Sequence, residues 1–151
     1  MRHFRLVGLL ALAALLAACG TANGSNANNS LNGNWTATLL DTNGKPVFDF
    51  TTVLTSSGSA GLVISNFRFT TTSPCFGANP TESGGFSLGG NFNGNVSGSF
   101  AMTIESGDGA SGNNLLMLQG MVNKNVVSGT WTLTGTGAGC AGSGNFTMTK
   151  G

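Results

Sequence analysis

Histidine and tyrosine are nearly missing from this chain, which holds one histidine, His3, and no tyrosine at all. Imidazole is the usual general base near neutral pH. If the segment that carries His3 is a cleaved signal, as its order of residues suggests, the remaining chain has no imidazole and cannot assemble a Ser-His-Asp or Cys-His relay, or a histidine-containing zinc site. Charge is scarce too. Only 7% of the residues are ionised, and they are scattered, so no basic patch exists to hold a phosphate backbone. Nucleic-acid binding therefore has no electrostatic basis. Long apolar runs are also lacking. The longest, Leu6 to Ala18, would span about 20 Å as a helix against a hydrocarbon core of roughly 30 Å. The sequence predicts no catalytic residue, no metal site and no cofactor.

What the first residues do contain is ordered. Arg2, His3 and Arg5 form a positive n-region, Leu6 to Ala18 is apolar apart from Gly8, and Leu16-Ala17-Ala18-Cys19 closes the run. Charge, short apolar stretch and small residues in that order read as a secretory signal rather than a spanning helix. With the cysteine in place, the segment resembles the lipobox of bacterial lipoprotein precursors. The resemblance implies cleavage between Ala18 and Cys19, with residues 1–18 removed. Cys19 then carries a thioether-linked diacylglycerol, and its new amino group takes a further acyl chain such as palmitate. Each buried CH₂ contributes about 0.8 kcal/mol, so two or three chains hold a protein on a membrane almost permanently. Gly20, rather than Asp, follows the cysteine, which points to the outer membrane and a periplasmic or surface-facing domain. The membrane is thus the one partner the sequence implies.

Residues 19–32 comprise the lipidated cysteine and a stretch of Gly, Ser, Ala, Thr and Asn without apolar periodicity, a tether. Residues 33–151 then form a single domain. Its charges are Lys45, Arg68, Lys124 and Lys150 against Asp41, Asp49, Glu82, Glu105 and Asp108, a slight acidic excess. Two cysteines remain, Cys75 and Cys140. In an oxidising compartment such a leftover pair forms a disulfide, and closing so long a loop is worth about 4 kcal/mol on the chain-entropy model.

From Gly33 onward the apolar period is two, which predicts strands. Trp35, Ala37 and Leu39 alternate with threonines. Asn43-Gly44 supplies a hairpin turn, and Phe48, Phe50 and Leu54 share the face of a second strand. Val63, Phe67 and Phe69 define the inward face of a third, and Thr70 to Gly85 is a long break containing Cys75. Phe86 and Leu88 mark a short fourth strand; Phe100, Met102 and Ile104 a fifth. Leu115 to Val122 is apolar on both faces, and Trp131, Leu133, Phe146 and Met148 lie on the last two. A pattern of Gly, polar residue and aromatic recurs at Gly33-Asn34-Trp35, Gly98-Ser99-Phe100, Gly129-Thr130-Trp131 and Gly144-Asn145-Phe146. It suggests glycine bends that help a sheet close. The expected fold is all-β: about eight antiparallel strands in an up-and-down (meander) β-barrel or strongly coiled sheet, with a β-sandwich as the alternative. A membrane-spanning barrel fits less well, because aromatic girdles are lacking.

Gly33-Asn34-Trp35 at the head of the first strand resembles the opening of lipocalins and, more loosely, avidins. That resemblance implies a meander barrel holding a small apolar ligand, with Trp35 and Trp131 as ligand-contacting or core side chains. The leading reading is a structural or interaction module of the cell envelope, with the small apolar-ligand carrier as its alternative. Spacing brings no two carboxylates together for acid–base work: Asp49 and Glu105 alternate outward, and Asp41 and Asp108 sit in turns. A single Gly107-Asp108-Gly109 turn falls short of a calcium loop. Gly135 to Gly139, with neither lysine nor following helix, falls short of a phosphate loop.

Overall fold

The computed structural model describes residues 31–57, 61–71, 73–90 and 96–151. Ala18 and Cys19 lie outside them. Eight strands follow in order: β1 (Gly33–Asp41), β2 (Pro46–Ser57), β3 (Gly61–Phe69), β4 (Thr81–Gly90), β5 (Val96–Glu105), β6 (Asn114–Asn123), β7 (Val126–Gly135) and β8 (Gly142–Lys150). Each pairs antiparallel with its neighbour in sequence, and β1 pairs back onto β8, closing an up-and-down barrel. The sandwich alternative is set aside by that closure.

The period of two puts one residue in two inside. Trp35, Ala37 and Leu39 of β1, Phe48, Phe50 and Leu54 of β2, and Phe100, Met102 and Ile104 of β5 are buried in one cluster. Leu116, Leu118 and Val122 of β6, Val127, Trp131 and Leu133 of β7, and Phe146 and Met148 of β8 complete it. Side chains therefore occupy the middle of the barrel, as interiors packed at a density of about 0.75 require. The outer face is mostly threonine and serine, which suit a pleated surface open to water. Alternation on β6 is clean: Met117 and Met121 are exposed while Leu116 and Leu118 are buried. The apolar residues on both faces of that strand are thus an inner row and an outer one.

Glycines face aromatic residues across several strand pairs. Phe100 pairs across from Gly120, Phe146 from Gly129 and Trp131 from Gly144. A Cβ on Gly120 would come to 2.9 Å from Phe146 Cζ, and one on Gly144 to 2.9 Å from Trp131 Nε1. Gly144 thus leaves room for the Trp131 ring across from it and Gly120 for the tip of Phe146, which helps bulky rings fit inside a narrow barrel.

Two expectations need correction. Val63 is 50% exposed and points outward; Leu62 and Ile64 are the inward pair of upper β3. The phase changes because β3 bulges. Val53 pairs with Ser65 but Thr51 with Arg68, so β3 carries one extra residue there, and Asn66 takes a left-handed φ of 51°. Beyond it, Phe67 and Phe69 face inward as expected. The fourth strand also begins earlier than Phe86, at Thr81, and pairs with β5 along its full length.

Strand order fixes which loops share an end. The β1–β2 turn, the segment 70–80, the loop 106–113 and the loop 136–141 lie at one end, and the amino-terminal entry to Gly33 lies at the other. The first end is heavily cross-tied. Cys75 and Cys140, 65 positions apart, form the disulfide, with Cα atoms 5.4 Å apart. Asn114 Nδ2 donates to the Cys75 carbonyl at 2.8 Å, and its Oδ1 accepts from the Gly137 amide at 3.2 Å. The amides of Ala78 and Ser111 donate to the carbonyls of Asp108 and Pro74.

Candidate functional site

The barrel wall is uneven. Other neighbouring strands share registers of several residues, whereas among the described residues β3 and β4 meet in one registered pair, Gly61↔Gly85. The cause lies in the sequence. A bulge bends the strand that carries it, and the one at Asn66 lies in the stretch of β3 without a registered partner on β4. Above it, Leu62 and Ile64 lie over Gly84, which has no side chain to hold them off. Below it the strands part, leaving a cleft of about 760 Å³. That is within the range of roughly 300–1,000 Å³ typical of small-ligand sites.

The cleft has an aromatic floor and a polar rim. Phe67 and Phe69 are half-buried, and Phe76 from the 70–80 segment is buried. Phe69 and Phe76 stack with centroids 4.6 Å apart and an interplanar angle of 22°, and Phe67 meets Phe69 edge-on at 5.0 Å. Phe48 and Phe50 support this group from β2. The rim includes Asn66, Thr70, Thr71, Ser73 and Asn79. Asn79, like Asn66, has a left-handed backbone, with φ of 55°. Asparagine tolerates that region better than most residues because its short amide can bond locally.

Glu82 is the cleft's acid. On β4 it shares the inward phase of Gly84, Phe86 and Leu88, and it pairs across from the buried Ile104. Partial burial pushes its carboxyl above the ordinary glutamate range, opposed by a hydrogen bond from its own backbone. No charged neighbour contributes to that shift. Arg68 borders the cleft from the outer face of β3 and is exposed.

The sequence-derived site residues lie elsewhere. Trp35 and Trp131 are both interior, and neither borders the cleft. Trp35 Nε1 donates to the Leu31 carbonyl at 2.8 Å, and Trp131 Nε1 to the Leu40 carbonyl at 2.8 Å. Trp131 also meets Phe48 edge-on at 5.9 Å. With their N–H groups satisfied, both act as core plugs. Cys75 holds the segment that carries Phe76. Asp41 closes the β1–β2 turn, accepting from the amides of Asn43 and Lys45, while Glu105 and Asp108 are exposed. Among the described residues, no three His, Cys, Asp or Glu side chains gather as a metal site.

Glu82 escaped the sequence reading because Pro80 and Gly84-Gly85 made its surroundings look like loop. The usable signal was its spacing: Glu82 is four and six residues before Phe86 and Leu88, in phase with both. Comparison with protein-family models, with curated proteins and with solved structures gives no match to this chain.

Proposed function

We propose that this chain is a lipid-anchored cell-envelope protein, held at the outer membrane through Cys19, that works by non-catalytic recognition at the β3–β4 cleft. One observation carries the reading: among the described residues, the barrel interior is occupied by side chains, while the wall opens at the weakly paired β3–β4 seam onto an aromatic floor. Two further features support it. The cleft lies at the barrel end opposite the entry of the tether, so an anchored domain presents it away from the membrane. The segment that forms one side of it is fixed by the disulfide and by Asn114, so the cleft is preorganised, which lowers the ordering cost of binding.

The competing reading is a carrier of apolar ligands in a central lumen, supported by the Gly33-Asn34-Trp35 resemblance and the closed barrel. The two differ in what the tryptophans feel. A lumen ligand touches Trp35 and Trp131; a cleft ligand touches Phe67, Phe69 and Phe76. Titration with fatty acids and retinoids, following tryptophan emission free of tyrosine background, separates them. The recognition reading expects no saturable change at micromolar ligand. A one-to-one saturating response to a fatty acid or retinoid replaces it with the carrier reading.

A further inference from the structure

The cleft combines features that select a class of ligand. Its floor is three phenyl rings, Phe67, Phe69 and Phe76. Ring faces carry negative electrostatic potential and attract cations held within about 6 Å. Its inner wall carries one carboxylate, Glu82, in the same inward row as Phe86. No ring presents an N–H or O–H, so the aromatic floor offers a ligand nothing to accept from. A fatty carboxylate placed on that floor would lie near Glu82 and find its donors only at the rim, among the amides, hydroxyls and Arg68 there, and burying unpaired charge is costly.

Building on the recognition reading above, we propose that the β3–β4 cleft binds a monocationic organic ammonium, its methylated nitrogen against the half-buried rings of Phe67 and Phe69, which the buried Phe76 backs by stacking on Phe69, and on the side of the carboxylate of Glu82. Methylation suits the floor. A primary ammonium is compact, strongly hydrated and needs three acceptors. A trimethylammonium spreads its charge over apolar methyl groups that lie against phenyl faces and need none. The positive charge of Arg68 at the mouth disfavours a second cationic group, so a singly charged head on an apolar body fits best.

Isothermal titration calorimetry on the full-length protein in lipid nanodiscs, with empty nanodiscs as blank, tests this using three probes that share a benzyl body. They are benzyltrimethylammonium, benzyl alcohol and phenylacetate. The cation should bind one-to-one and at least about tenfold more tightly than the alcohol, and phenylacetate should give no saturable heat. Glu82→Gln, nearly isosteric, should weaken the cation about tenfold and leave the alcohol unchanged. Glu105→Gln, on the exposed face of β5, should change neither. Phe69→Leu keeps an apolar floor without the ring face and should weaken the cation more than the alcohol, which provides a second route should Glu82→Gln fold poorly. Equal binding of alcohol and cation, preference for phenylacetate, or an unchanged affinity in both variants overturns the ammonium assignment while leaving the cleft a binding site. Absence of heat from all three probes overturns the cleft reading itself.

Discussion

Asn114 donates from Nδ2 to the carbonyl oxygen of Cys75 across 2.8 Å, joining residues 39 positions apart. Its Oδ1 accepts from the Gly137 amide, and its Nδ2 also reaches the Gly112 carbonyl at 3.2 Å. One buried amide therefore satisfies backbone groups from three loops at the cross-tied end. Asn114→Leu removes all three bonds at similar volume and strands the Cys75 carbonyl and the Gly137 amide, while the Gly112 carbonyl still accepts from Ser106 Oγ. Each unsatisfied buried group costs about 1–3 kcal/mol, so the variant should lose at least about 2 kcal/mol in urea unfolding. Asn113→Ala, exposed next door, should fall within about 0.5 kcal/mol of the parent. Equal effects of the two would remove Asn114 from this role.

The disulfide and Asn114 constrain the same segment. Reduction of Cys75–Cys140 releases loop entropy in the unfolded chain, worth about 4 kcal/mol at most for a loop of this length. Because Asn114 and the Ser111–Pro74 bonds remain, the reduced protein should stay folded and lose cooperativity first in the 70–80 segment. Hydrogen exchange with and without reductant should show protection falling at Phe76 and Ala78 before it falls at Leu118 or Met148. Uniform loss across the barrel would contradict this order.

The bulge gives a sharper test of local conformation. A left-handed backbone costs an ordinary L-residue about 1–2 kcal/mol, and β-branched residues accept it least. Asn66→Val should destabilise by about that amount and Asn66→Gly by a few tenths, measured as urea midpoints. Glycine more damaging than valine would show that the asparagine side chain, and not its backbone, matters.

These residues also mark what the sequence could and could not reveal. Strand identity, turn positions and closure were legible because inward apolar residues recur every second position, and because Trp131 and Phe146 come with glycines that make room for rings. The phase of β3 was legible in principle: Leu62 and Ile64 are out of step with Phe67 and Phe69, which two apolar pairs on one continuous strand cannot be without an extra residue. Which residue absorbs the shift depends on backbone dihedral and pairing with β2, and no periodicity encodes those. The cleft is further removed still. It arises from a bend at Asn66, a missing side chain at Gly84 and a loop held by a distant cysteine, three features that meet only in space.

Two carboxylates should respond to pH with opposite signs. Asp41 is held below the ordinary aspartate range, chiefly by the amide of Lys45, against some desolvation, with the amide of Asn43 adding. A depressed folded value means stability present above the unfolded pKa and lost as pH falls through the folded one. Glu82 is raised by burial. A raised carboxyl favours the folded state when protonated, and that advantage is lost as pH rises from the ordinary glutamate range through the folded value. Glu82→Gln should therefore equal or exceed the parent in stability at about pH 7, with the gap closing towards about pH 3. Asp41→Asn should be the less stable protein at about pH 7, and its deficit should close over the acid range. Urea midpoints of the three proteins across that range decide it, and parallel curves would remove both assignments.

The anchor is tested by chemistry at Cys19. If Leu16-Ala17-Ala18-Cys19 directs lipidation, labelled palmitate should enter the parent protein and not Cys19→Ser, and the variant should be released from membranes or remain unprocessed. A double variant of Cys75 and Cys140 to serine, which retains Cys19, should still label, because those thiols are joined to each other. The contrast is needed because a lone thiol elsewhere could also take an acyl chain. Label in Cys19→Ser equal to the parent would remove the lipid anchor. Recognition at the cleft does not depend on attachment through Cys19 and would stand without it.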